Sequence, residues 1–201
     1  MPSSAFQISL SKTSPQLAEE IKRSVCPAEN LAKAMAERVE GLLVRHFAER
    51  DRNAQRRAGF PRSGFWAEAA KRLHVTTSGG EATLTVAKPG AALHYYGGTV
   101  RPQRGRALAI PACPEVAGQN PREYDPSRSR LFLWWPKGRR SGALAKRENS
   151  GHLTILWWLV GATHHRPDPT VLPDEARVRE TAEDAAWDAL DAWAATHGRT
   201  A

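Results

Sequence analysis

"LFLWWPKGRRSGALAKRENSGHLTILWWLVG", residues 131–161, decides the fold class. Its apolar runs are short and are broken by Pro136, Gly138, Gly151 and clusters of Lys and Arg, so it reads as strands joined by basic turns. From His152 to Val160 the run is apolar on both faces, as a central, covered strand would be. Upstream, "ALAIPA" (107–112) reads as a short strand closed by Pro111. Between the two, "CPEVAGQNPREYDPSRSR" (113–130) has three prolines and no periodicity, and reads as a loop. Further upstream, "EATLTVAK" (81–88) alternates Thr83 and Thr85 against Leu84 and Val86, the pattern of a half-buried strand. "TTSGG" (76–80) reads as a turn, and "PGAALHYYGG" (89–98) as a bend.

Helical periodicity brackets these strands. In "PAENLAKAMAERVEGLLVRHFAERDRNAQRR" (27–57), Leu31, Met35, Val39, Leu42, Leu43 and Phe47 recur at three- and four-residue steps and draw one apolar stripe. "FWAEAAKRLHV" (65–75) predicts a short helix. Near the C-terminus, Pro167, Pro169 and Pro173 keep the chain extended. A helix is then expected from about Asp174, with Val178, Ala182, Ala186, Leu190 and Trp193 as its stripe. The order helix, strands, helix predicts an α+β fold, a mainly antiparallel sheet flanked by a long N-terminal helix and a C-terminal helix, with long basic loops. Residues 1–28 are polar and read as an N-terminal arm, and residues 29–201 as a single domain.

Charge is partitioned along the chain. The formal net charge is +8. Residues 101–147 alone hold eleven Lys/Arg against three Asp/Glu, a surplus equal to that of the whole chain. Residues 168–197 hold eight Asp/Glu against two Arg. Such a two-ended chain suits head-to-tail association of copies or docking to an acidic partner, and equally suits solvated faces of a monomer. Cys26 and Cys113 belong to no Cys-x-x-Cys pair and read as two reduced thiols. No apolar run reaches the ~18 residues of a membrane span. The first residues, "MPSSAFQISLSKTSPQ", lack the basic-then-apolar layout of a signal peptide.

Catalytic patterns are weak. "THHRPD" (163–168) offers His164, His165 and Asp168, but adjacent histidines point to opposite faces of a strand. There is no Gly-x-Ser-x-Gly elbow and no phosphate-cradling Gly-x-x-x-x-Gly-Lys loop. No enzyme activity, cofactor or metal is therefore expected. Nucleic-acid binding is the stronger alternative, because Arg101, Arg104, Arg106, Arg128, Arg130, Lys137, Arg139 and Arg140 lie in loops, with Trp134 and Trp135 nearby. Aromatics on both faces of "LFLWWP" fit core packing at least as well.

"HYYGGTVRPQRGRALAIPA" (94–112) reads as a joint. Gly97 and Gly98 permit positive φ, and Tyr95 and Tyr96 can lay rings on a neighbouring surface. Arg101-Pro102 then begins an extended arm. Tyr96-Gly97-Gly98-Thr99-Val100-Arg101-Pro102, followed by Ala107-Leu108-Ala109-Ile110-Pro111, resembles the phage virion morphogenesis family, the Mu-like tail-completion and head–tail joining proteins. Pro121-Arg122-Glu123-Tyr124, Leu159-Val160, Pro167 and Leu172-Pro173 extend the resemblance across residues 30–197. The chain departs from the family pattern in its tryptophan-rich strand and at His164-His165, where the family more often has small polar residues. The resemblance implies a virion structural protein of a phage or phage-like particle that completes the tail or joins it to the head. It implies assembly as a ring, often sixfold, with other tail, neck or head-connector proteins as partners. DNA contact is not expected as the primary role. The interface residues then expected are Tyr95, Tyr96, Gly97, Gly98, Arg101, Pro102, Arg104, Arg106, Arg128, Arg130, Lys137, Arg139 and Arg140. Location would be the virion, and the host cytoplasm during assembly.

Overall fold

Helix α1, Ala28–Asn53, is the longest element of a fold seen in a computed structural model that describes residues 26–54, 59–103, 105–124, 131–138, 141–148 and 150–197. Glu29 in its first turn and Arg50 and Arg52 in its last oppose the helix dipole. The buried positions are Ala32, Ala36, Val39, Leu42, Leu43 and Phe47. The stripe therefore lies one residue beyond the expected one in its first half, where Ala32 and Ala36 are buried and Leu31 and Met35 are only half-buried. A Cβ added to Gly80 would lie 2.9 Å from Ala28 Cβ, so a hairpin turn crosses the start of the helix with little room.

The remaining elements are α2 (Phe65–Ala70), β1 (Leu73–Ser78), β2 (Glu81–Val86), α3 (Ala91–Tyr96), β3 (Gly98–Val100), β4 (Leu108–Pro111), β5 (Leu131–Trp134), β6 (Gly142–Arg147), β7 (Leu153–Val160), β8 (Thr163–His165) and α4 (Glu175–His197). Single-turn 3-10 helices occupy Pro114–Val116 and Pro169–Val171. The class is α+β, with a long N-terminal helix, a C-terminal helix and antiparallel sheets. Contacts divide the chain into two compact units. One comprises the chain through Leu42, residues 74–85 and the chain from Asp174; the other comprises residues 43–73 and 86–173.

In the first unit, β1 and β2 pair through the two-residue turn Gly79-Gly80, whose φ values of 60° and 84° suit a tight hairpin. "TTS" thus belongs to the strand, and only the glycines turn. Exposure alternates along β2 as the sequence predicts. Asp174 caps α4: its Oδ1 accepts the Ala176 N–H at 3.3 Å, and its carbonyl accepts the Val178 N–H at 3.0 Å. Ala185 is buried, and Val178, Ala182, Ala186, Leu190 and Trp193 are half-buried around it. Arg38 and Asp188 form an ion pair at 2.5 Å.

The second unit is built on a four-stranded antiparallel sheet ordered β4-β7-β6-β5. β7 is central, as expected, but it is not covered on both faces, since Leu153 is 53% and Trp158 39% exposed. Register explains the difference. Leu144 pairs with Trp157 and Ala145 with Ile155, which leaves Leu156 as the extra residue of a bulge. Leu156 and Trp157, which strict alternation would send to opposite faces, are both fully buried. Val116 joins them from the 3-10 turn in the expected loop, with Cys113, Tyr124, Leu131 and Leu144 packed around. Tyr124 meets Trp157 edge-on at 5.2 Å, and Glu115 accepts hydrogen bonds from Tyr124 and Lys146. One face of the sheet is closed by this loop. The bend expected at 89–98 is instead a helical turn, α3, placed between Gly90 and Gly97.

Leu156→Ala should lower unfolding stability by about 2–5 kcal/mol, measured by chemical denaturation. Leu133→Ala, at a position 62% exposed on edge strand β5, should cost under about 1 kcal/mol.

Candidate functional site

The joint at residues 94–102 is built by three local choices. Tyr95 and Tyr96 end α3, with their rings edge-to-face at 4.7 Å. Gly97 caps the helix at φ 71°, and a Cβ there would lie 2.7 Å from Pro167 Cδ and 2.9 Å from the His165 carbonyl oxygen. Only glycine fits, for backbone conformation and for space. Gly98, at φ 146°, starts β3, where a Cβ would meet Leu93 at 3.1 Å. β3 then pairs antiparallel with β8, Thr99 opposite His164, and Thr99 Oγ1 and His164 Nδ1 share a 2.8 Å hydrogen bond.

A clamp braces this joint from behind. Arg50 on α1 donates to the Thr170 carbonyl at 2.9 Å, to Thr170 Oγ1 at 3.0 Å, and to Asp168 Oδ2. Its guanidinium lies 5.0 Å from the centre of the Trp66 ring. Arg50 Nε is buried and meets no acceptor. Asp168 Oδ1 accepts from the Thr170 N–H at 3.0 Å and from Thr170 Oγ1 at 2.5 Å. The Asp168 N–H donates to the carbonyls of His94 and Tyr95 at 3.0 and 3.2 Å. The clamp thus runs from α1 through residues 168–170 to the end of α3. His46 Nε2 adds a 3.0 Å contact to the Thr170 carbonyl.

The electrostatics follow from these contacts. Hydrogen bonding from Thr170 first, and then from Arg50, holds the Asp168 carboxyl below the usual carboxylate range against some desolvation. His94 packs edge-on or tilted against Phe65, Trp66 and His165 at 4.9 to 5.7 Å between ring centres. Desolvation, then the neighbouring His165 and Arg50, push its pKa down, and Asp168 opposes this only in part. The neutral form of the ring is thereby favoured. Both oxygens of Asp168 accept hydrogen bonds from Arg50 or Thr170, which fixes the geometry of the cluster. Beside it, a cavity of about 410 Å³ is lined by His46, Glu49, Arg50, Asn53, Ala54 and Trp66. An apolar groove of about 150 Å³ runs under the tyrosines, lined by Phe47, Val86, Ala91, Ala92, Tyr95, Tyr96, Val171 and Leu172.

Of the interface residues expected from sequence, the structure gathers Tyr95, Tyr96, Gly97 and Gly98 into one turn. Both tyrosines line the groove, and Tyr96 is in addition 74% exposed. Arg101 and Pro102 follow β3 directly; Arg101 is exposed and Pro102 half-buried. Arg106 is exposed before β4, and Lys137 is exposed after β5. Arg104, Arg128, Arg130, Arg139 and Arg140 lie outside the described residues. The sequence reading missed the clamp, because Arg50 sits among the polar positions of α1 and nothing in one chain names its partner. The signal that was present is Asp168 between two prolines, a residue type and spacing suited to capping a turn. Among the described residues no group of three His, Cys, Asp or Glu side chains is placed to hold a metal, and no helix is long and apolar enough to cross a membrane. Comparison with family models, with curated proteins and with solved structures finds no match.

Gly97→Ala should cost about 2 kcal/mol or more in thermal or chemical unfolding, since strain at positive φ adds to the Pro167 clash. Acidification should also destabilise the fold. His94, with its pKa lowered, contributes stability that is full above the unfolded value of about 6.5 and is lost as pH falls through the folded value. Asp168 adds a further loss in the same direction at lower pH. His94→Asn should flatten the dependence of Tm on pH just below about 6.5 and leave the more acidic limb.

Proposed function

We propose that the protein is a virion structural component of a tailed phage or phage-like particle, one that completes the tail or joins it to the head as part of a ring. The observation that carries the reading is Tyr96. It is a large aromatic, 74% exposed, at the tip of a turn braced by Gly97, Pro167 and the Arg50–Asp168 clamp. A large aromatic presented to solvent is what an interface anchor offers, and the braced backbone fixes where it projects. Tyr96 belongs to the run Tyr96–Pro102 through which the chain resembles the virion morphogenesis proteins. Arg101 and Arg106, exposed and without an ion-pair partner among the described residues, supply the adjacent charge. The work of such a protein is interface complementarity, and the proposal assigns it no catalytic step.

Nucleic-acid binding is the second reading, favoured by the exposed Trp134 and Trp135 beside the basic connections of the sheet. It predicts DNA retention on filters that falls steeply as salt is raised.

Purified particles should contain the chain at a fixed copy number, determined by quantitative mass spectrometry; its absence from them rules out the virion role. Tyr96→Ala combined with Arg101→Glu should shift Tm by no more than about 2 °C and lower the joining of heads to tails about tenfold or more.

A further inference from the structure

The two units each carry an exposed surface, and the two surfaces are opposite in character. On the four-stranded sheet, register places Ile110, Trp158, Ala143 and Trp134 in one row across β4, β7, β6 and β5. Ile110, Trp158 and Trp134 are 36%, 39% and 44% exposed, and Ala143, between the two indoles, is fully buried. This is the face opposite Trp157 and Leu144, so the loop that closes the sheet lies on the other side. Along the same face β6 continues to Arg147, which is exposed. Arg106 precedes β4 and Lys137 follows β5, both exposed, and none of these three cations has an ion-pair partner among the described residues. In sequence, Arg128, Arg130, Arg139 and Arg140 flank the same strands.

Helix α4 presents the complement. Trp187 is 67% exposed. Glu180, Glu183, Asp184 and Asp191 stand seven and four and three residues before it and four after it, the spacing of one helix face. All four are exposed, and none has an ion-pair partner among the described residues. That face is turned away from buried Ala185. An isolated indole among like-charged carboxylates gains nothing for a lone helix, since the carboxylates repel one another and the ring stays hydrated.

We propose that a second copy of the chain covers the sheet face with its α4, Trp187 packing against Trp134 and Trp158 and the α4 carboxylates meeting Arg106, Lys137 and Arg147. The inference rests on the ring proposed above for its biological setting and names the contact that builds it. Each copy carries one helix surface and one sheet surface, so the contact is heterologous: it propagates from copy to copy and closes when the rotation per step divides a full turn. Apolar rings at the centre with charged residues around them follow the arrangement of energetic anchors inside a polar rim.

The test is association of the purified full chain by native mass spectrometry and light scattering. Wild type should form oligomers at about 10–100 µM in about 50 mM salt and dissociate in part at about 500 mM. Trp187→Glu removes the helix surface, and Trp134→Glu, on the edge strand, removes the sheet surface. Each variant alone should be monomeric, whereas an equal mixture should form a dimer and stop there, because one intact pair of surfaces remains. Should Trp134→Glu fail to fold, Glu183→Lys with Asp184→Lys, confined to an exposed helix face, should by itself weaken association about tenfold or more. A wild type that stays monomeric, or single variants that assemble as wild type does, overturns the proposal and leaves the sheet face to a partner of different sequence. Association of purified chains needs no particle. Absence from virions would therefore remove the biological role and leave this interface standing, and a chain found in virions but monomeric in solution would do the reverse.

Discussion

The Arg50 guanidinium ties together three parts of the chain that lie far apart in sequence. It reaches from α1 to Thr170 and Asp168 while lying over Trp66, so one side chain fixes a helix end, an aromatic cluster and the segment after β8. Asp168 passes the constraint on through its N–H to the carbonyls of His94 and Tyr95. Solvent screens the charge pair, since Asp168 is half-exposed, and the net energy of such a pair is small. Its worth lies in direction. A bidentate-capable guanidinium with partners on two residues permits one arrangement of the 168–170 turn, and Pro167 is thereby set against Gly97. The exposed position of Tyr96 is the end of that chain of constraints.

The sheet shows a second constraint, written in one extra residue. The bulge at Leu156 places two successive large side chains in the core, and the 3-10 turn brings Val116 to meet them. One face is then satisfied, with Glu115, Lys146 and Tyr124 forming a polar edge that closes the loop over it. The hydrogen bond from Lys146 to Glu115 holds the ammonium protonated to higher pH than usual. The opposite face receives the remaining aromatics. A sheet with one solvated face ordinarily alternates apolar with polar residues. Here β7 carries Leu153, Ile155 and Trp158 where polar residues would be expected, which is why its sequence resembles a strand covered on both sides.

How far the sequence could be read follows from the range of each interaction. The long helix, the cap at Asp174, the alternation in β2 and the existence of β4 to β7 are set by neighbours within a few residues, and periodicity displays them directly. The glycines of the joint were legible for the same reason, because positive φ is a local demand. The shift of the α1 stripe to Ala32 and Ala36 was not, since burial of small residues in place of Leu31 and Met35 is not displayed by periodicity. The clamp was invisible, as Arg50 and Asp168 are separated by 118 residues. α3 was concealed by composition: six residues between two glycines look like a bend until the carbonyls of His94 and Tyr95 find the Asp168 N–H.

Edge strands sharpen the meaning of the exposed face. β4 and β5 bound the sheet, and an unprotected edge beside exposed indoles invites pairing with any other chain. The flanking sequence resists this. Pro111 ends β4 without a donor, and Arg128, Arg130, Lys137, Arg139 and Arg140 flank β5 in sequence. Positive charge repels a second copy of the same edge, so association by strand addition is disfavoured. In the contact proposed above, the same charge would meet the acidic α4 face of another copy. Under that proposal, a surface defended against its own kind and open to its complement would favour heterologous over edge-to-edge contact.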